Sequence, residues 1–164
     1  MNRDKFYKSL KGVSETKNFK LKKKATTRRW KIAQDSEEEH WRNFSTKSLL
    51  KNSKKDLVFL EELKLTENSV RKITTGYYDV LRSILEAIVA LDSLKIYSHE
   101  AFTYFLKEKE EEKISFAFDR FRRKRNSINY YGGEISIGAC EESIKEMKKM
   151  INFLIDKYLG GIKK

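Results

Sequence analysis

Apolar residues along this chain recur at steps of three and four. The clearest run is Val70, Ile73, Tyr77, Leu81, Ile84, Ile88 and Leu91, which predicts an amphipathic helix of about seven turns. Gly76 lies inside it at a cost of about 1 kcal/mol relative to Ala, a place where glycine permits close helix approach. The final run, Ile137, Cys140, Ile144, Met147, Ile151, Leu154 and Tyr158, keeps the same rhythm for about six turns and stops at Gly160-Gly161. Between them Ile114, Phe118, Phe121, Arg125 and Ile128 mark another helix, ending at Tyr130-Tyr131-Gly132-Gly133 with glycine available for a left-handed cap.

Cap signals bound the rest. Ser36, with Glu39 three residues on, reads as a capping box. Trp41, Phe44, Leu57, Leu60 and Leu63 follow, predicting helix from about 37 to 64, in one piece or divided at Asn52-Ser53. Trp41 is expected in the core. Thr66-Glu67-Asn68-Ser69 reads as a turn and cap. Ser98 is expected to cap a short helix with Glu100 in its first turn and Phe102, Phe105 and Leu106 on its apolar face. Lys107 to Lys113 is a charge run suited to a connection. No alternating strand pattern competes, and no internal repeat is present. The expected fold is therefore all-α, an antiparallel bundle of four or five helices over 36–164, with residues 1–35 as a basic N-terminal arm.

Composition agrees with long helices, since the chain has no proline and only seven glycines. A single cysteine, Cys140, excludes an internal disulfide framework and fits a reducing compartment; its place on an apolar stripe marks it as a small core residue. No apolar run approaches the roughly 20 residues of a membrane span, and no signal-peptide h-region is evident at the N-terminus, so a soluble cytoplasmic protein is expected. Abundant Lys and Glu fit a thermophilic source or an AT-rich genome.

Charge is unevenly placed. Residues 1–31 hold twelve Lys and Arg against Asp4 and Glu15, a net +10 of the chain's +12. Lys22, Lys23, Lys24, Arg28 and Arg29 form its basic clusters, with Trp30 adjoining as a candidate stacking residue. Such a segment buries little and orders on docking to a partner. Two readings stand side by side: an electrostatic grip on nucleic acid, and an extension without function.

One position on the 114–128 stripe is not apolar. Arg125 cannot shed its charge, so it must face a polar cleft, an interface or a carboxylate. It closes the run Arg120-Phe121-Arg122-Arg123-Lys124-Arg125, five cations in six residues. Asn126, Ser127, Asn129, Tyr130 and Tyr131 follow, and Asn129 lies one helical turn beyond Arg125 on the same face. Guanidinium forks, amides and aromatic rings of this kind suit phosphates and bases. A solvated basic face, with Arg125 paired to a neighbouring carboxylate, is the competing reading. His99 reads foremost as a helix-start packing or hydrogen-bonding residue, with a catalytic base or metal ligand as the competing role. No His, Cys or carboxylate group has metal-ligand spacing, and no glycine-rich phosphate loop is present; no cofactor is expected.

The segment Arg125-Asn126-Ser127-Ile128-Asn129-Tyr130 resembles the motif of the HEPN family, an arginine, a polar residue and a histidine shortly beyond. Tyr77-Tyr78-Asp79-Val80-Leu81-Arg82 leading into Leu85-Glu86-Ala87, then Ser98-His99-Glu100-Ala101 and Tyr104-Phe105-Leu106, is similar to the way such bundles read. The likeness covers about residues 45–158. It implies a homodimer with a composite site in which the arginine binds the scissile phosphate, the polar neighbour orients it and the histidine transfers protons, without metal. It also implies non-catalytic relatives that bind RNA or nucleotides, or that pair with a nucleotidyltransferase in toxin–antitoxin or defence systems. The chain departs at the histidine: with four, five and six residues intervening after Arg125 stand Tyr130, Tyr131 and Gly132. Phenols as a class titrate near 10 and are poor bases at neutral pH, and losing an acid/base partner forfeits roughly 100- to 10,000-fold. The expectation is therefore an RNA- or nucleotide-phosphate-binding homodimer, with Arg125, Asn126 and Tyr130 as candidate catalytic residues and Arg120, Arg122, Arg123, Arg125, Asn129, Tyr131 and the arm's basic clusters as the phosphate-binding set. A metal-independent ribonuclease, with Tyr130, Asn129 or a histidine supplied by the fold in place of the missing one, and a docking subunit for a nucleotidyltransferase are the alternatives.

Overall fold

Residues 70–91 carry apolar side chains on more than one stripe, and the helix they form is the centre of the molecule. Tyr78, Val80, Leu85, Ala87 and Val89 are buried alongside the positions of the predicted run, as befits a helix surrounded by others. The computed structural model describes residues 27–29, 35–92 and 94–162, with side chains from Phe44 onward. Its helices are α1 (Asp35–Glu62), α2 (Val70–Leu91), α3 (Ala101–Glu108), α4 (Glu112–Tyr130) and α5 (Ile137–Leu154), the last continuing into a π-helical turn, Ile155–Leu159. The chain is thus mostly helical. Among the described residues no helix is long and apolar enough to cross a membrane.

Successive long helices alternate in direction. Thr46 Oγ1 donates to the Ala87 carbonyl at 3.2 Å, while a Cβ built at Gly76 would stand 2.6 Å from Leu60 Cδ2. So α1 runs antiparallel to α2, and Gly76 is where the two approach. Arg71 Nη2 donates to the Ile128 carbonyl at 2.7 Å and the Tyr78 ring stacks on Phe118, which opposes α4 to α2. Thr74 Oγ1 donates to Cys140 Sγ at 3.0 Å and Lys148 lies over the Tyr77 ring, so α5 runs parallel to α2. Cys140 is fully buried here.

Local chemistry explains the boundaries and corrects several expectations. Thr66 N donates to Ser69 Oγ at 2.9 Å and Ser69 N to Thr66 Oγ1 at 3.3 Å, a reciprocal capping pair at the entry to α2. α1 passes through Asn52-Ser53 unbroken and already begins at Asp35. The inner face of α1 is Thr46, Leu50, Ser53, Leu57 and Leu60, whereas Phe44 and Leu63 are 61% and 37% exposed. Small hydroxyl side chains fill this seam, which is why hydropathy alone misplaces it; the side chains of Ser36 and Trp41 lie outside the described residues. The expected connection at 107–113 is short: α3 runs to Glu108, Glu110 takes φ +63°, and α4 starts at Glu112. Glu111, buried, accepts from Tyr158 Oη at 2.8 Å and from Lys157.

The expectation of no strand is also corrected. β1 (Thr27–Arg29) and β2 (Leu94–Ile96) form an antiparallel ribbon in the register Thr27↔Ile96 and Arg29↔Leu94. Three residues on each side pair through the backbone, too few to show an alternating pattern. The end of the basic segment is thereby joined to the body next to the turn that carries His99.

Candidate functional site

The site grows outward from Tyr78. Buried in α2, its ring stacks on Phe118 of α4, with centroids 5.5 Å apart, and on His99, 5.7 Å apart. Its hydroxyl is hydrogen-bonded to His99 Nδ1 at 2.9 Å. In one tautomer the phenol donates and Nε2 carries the proton; in the other Nδ1–H donates and Nε2 presents a free lone pair. Burial first, then the positive charges of Arg82 and Arg125, holds the imidazole below its ordinary pKa of 6.5, against a smaller opposing effect of Asp79. The ring is therefore neutral at physiological pH. Burial likewise pushes the Tyr78 phenol up, so it remains a phenol.

Arg125 borders this pair. Its side chain is 17% exposed and its Nε stands 4.0 Å from Asp79 Oδ1, beyond hydrogen-bonding range. Nη1 donates to Tyr130 Oη at 3.0 Å, and the guanidinium lies 5.5 Å from the centroid of that ring. Nε is buried and has no acceptor among the described residues, as is the Nε of Arg82. A buried donor left unpaired costs about 1–3 kcal/mol, which offsets part of what the contacts of Arg125 to Tyr130 and Asp79 contribute. Its Nη edge is the part available to a ligand.

The other predicted cations divide between two faces. Arg122 and Arg123 share Asp119, at 2.7 and 2.8 Å, and Arg122 reaches His99 and Tyr78 electrostatically. Arg120 points away, paired with Glu146 of α5 and packed against Phe121; Lys124 donates to Ser143 of α5 at 2.9 Å. The structure therefore brings Arg122 and Arg125 to His99 and removes Arg120 from that group. Asn126 is partly buried after Arg125. Asn129 is exposed and lines a separate hollow with Asn68, Arg71 and Lys72. Tyr130 and Tyr131 are 68% and 83% exposed. Gly132, at φ +67°, turns the chain sharply so that Gly133 N–H donates to the Ser127 carbonyl at 2.9 Å, which leaves both rings at the tip of α4. Lys22, Lys23 and Lys24 lie outside the described residues, and of Arg28 and Arg29 only the strand backbone is described.

Sequence reasoning gave no site role to Tyr78, Asp79 or Arg82 and did not join His99 to Arg125. The missed signal is periodic: Tyr78 and Arg82 are one turn apart on α2, on the face that meets α4. Glu86, a further turn on, pairs with Arg82, and burial raises its carboxyl above the usual range. In sum, Arg82, Arg122, Arg123 and Arg125 face Glu86, Asp119 and Asp79, with a neutral imidazole and exposed tyrosines beside them. Such a group can bind an anion, fix its orientation and exchange a proton through His99. Among the described residues no three His, Cys, Asp or Glu side chains converge as metal ligands.

No protein-family model, curated protein or solved structure matches this chain.

Proposed function

We propose that this chain is a HEPN-type protein that binds single-stranded RNA or nucleotide phosphates in the cleft between α2, α4 and the His99 turn, and that it works as a homodimer. One observation carries the reading: Arg125 occupies a stripe position of α4, largely buried, with the nearest carboxylate oxygen among the described residues 4.0 Å away. A phosphate oxygen at the Nη edge would supply the charge-assisted hydrogen bond that Asp79 does not. His99 would offer a second contact, and Tyr130 and Tyr131 would stack on flanking bases. The exposed tip of α4 is where a second copy would join to make a shared groove.

The test is anisotropy of labelled single-stranded RNA in EDTA at several salt concentrations, with wild type and Arg125→Ala, alongside light scattering for oligomeric state. The reading expects binding that weakens steeply with salt and falls in the variant. Absence of RNA affinity at low salt overturns it, and a monomer at working concentration overturns the dimer.

The Tyr78–His99 pair favours a second reading, metal-independent cleavage. His99 would take the proton of a 2′-hydroxyl, whose oxygen attacks the adjacent phosphorus. The P–O5′ bond then breaks, the 5′-oxygen takes a proton from solvent, and a 2′,3′-cyclic phosphate is left. Here His99 replaces the missing motif histidine, and Tyr130 serves by holding Arg125. RNA that stays intact through long incubation in EDTA counts against this reading and leaves binding untouched.

A further inference from the structure

We infer that Asn68, Arg71, Lys72 and Asn129 form a second anion subsite, which takes a phosphate further along the RNA strand held at Arg125. The inference rests on the binding reading above and deepens it. These residues, with Ile128, line a hollow of about 260 Å³ between the start of α2 and the last turn of α4. That is below the roughly 300–1,000 Å³ of pockets that enclose a whole small molecule. It suits a phosphate with part of its sugar.

The hollow's chemistry is one-sided. Among the described residues no carboxylate lines it. Arg71 Nη2 donates to the Ile128 carbonyl at 2.7 Å, which fixes the guanidinium at the rim with its other N–H groups still to be used. Elsewhere on α2 and α4, Arg82 is paired with Glu86, Arg120 with Glu146, and Arg122 and Arg123 with Asp119. Arg71 and Lys72 have no such carboxylate among the described residues, and the side chains of Asn68, Lys72 and Asn129 have no hydrogen-bond partner there. Two cations, of which Arg71 is held by the Ile128 carbonyl, and two amides lining one concavity present donors to an anion, with Asn129 and Asn68 also able to meet a base edge.

Position links this hollow to the first site. Asn129 follows Arg125 by one helical turn, about 6 Å along the axis, and Arg71 precedes Asp79 by about 12 Å. A strand leaving Arg125 past Tyr130 would run onto the hollow.

The test uses the full chain and two probes, uridine monophosphate and a short oligouridine, titrated against wild type, Arg125→Ala and the double variant Asn68→Ala/Lys72→Glu. Asn68 and Lys72 are exposed, so the fold should survive; thermal melting checks it, and Lys72→Ala is the milder second variant. The subsite predicts mononucleotide binding unchanged in the double variant, oligouridine binding weakened about tenfold at low salt, and a salt slope shallower by about one. Arg125→Ala should weaken both probes. Oligouridine binding unchanged in both hollow variants while Arg125→Ala weakens it sinks the subsite and spares the main site. Weakening in the hollow variants alone upholds the subsite and overturns the role of Arg125. A wild-type chain that binds neither probe ends both.

Discussion

Replacing Arg125 by Met separates a residue kept for ligand from one kept for structure. Methionine retains most of the buried stem and removes the charge. Among the described residues the guanidinium makes one hydrogen bond, to the exposed Tyr130, and no direct bond to Asp79, whose side chain is 49% exposed. Freed Asp79 would be solvated, so the lost ion pair is worth on the order of 1 kcal/mol or less. Against that, the unpaired buried Nε disappears, returning about 1–3 kcal/mol. The expected change in stability by urea unfolding is therefore near zero or favourable. Removing one partner of a true buried ion pair costs about 3–5 kcal/mol instead. Binding should move the other way: a charge-assisted hydrogen bond to phosphate is worth about 1.5–3 kcal/mol, or roughly 10- to 150-fold in Kd. A variant destabilised by 3 kcal/mol or more that still binds RNA normally would refute the assignment and make Arg125 a structural cation.

Three further outcomes follow from the same packing. His99, held below 6.5 by burial and then by Arg82 and Arg125, takes up its proton less readily than the unfolded chain does; its contribution to stability should be intact above about pH 6.5 and lost as pH falls through the lower folded value. NMR titration should show this depressed pKa moving upward when inorganic phosphate is added, and an unchanged value would argue against an anion near the ring. Phe118→Ala removes a fully buried ring that stacks on Tyr78 and meets Phe102 edge-on, and should cost about 3–5 kcal/mol by denaturant titration and release His99; a loss under 1 kcal/mol would contradict the packing. Gly132 and Gly138 both face open space, but only Gly132 has positive φ, so Gly132→Ala should destabilise by about 1–2 kcal/mol while Gly138→Ala, inside α5, should stabilise by up to about 1 kcal/mol; equal effects would refute the conformational account of the α4 tip.

Periodicity alone was enough to place α2, α4 and α5, because each buries apolar positions at steps of three and four that the sequence states directly. It also marked Arg125 as the exception, since a permanent cation on such a stripe contradicts simple burial. Glycine chemistry announced the end of α4, and the near approach at Gly76 was readable as a gap in side-chain volume. α1 was placed but not oriented: its seam is built partly from Thr46 and Ser53, whose hydroxyls carry no hydrophobic signal.

Only the tertiary structure decided what surrounds Arg125. His99 lies 26 positions earlier in the chain, and no local rule links the two; the stacking of Tyr78 between His99 and Phe118 does. The division of the basic run, with Arg122 and Arg125 toward α2 and Arg120 and Lys124 toward α5, likewise depends on which helices flank α4. So does the three-residue ribbon that joins Thr27–Arg29 to Leu94–Ile96. Helical rhythm is written over a few successive residues, whereas a site assembled from three separate segments exists only once burial has brought them together.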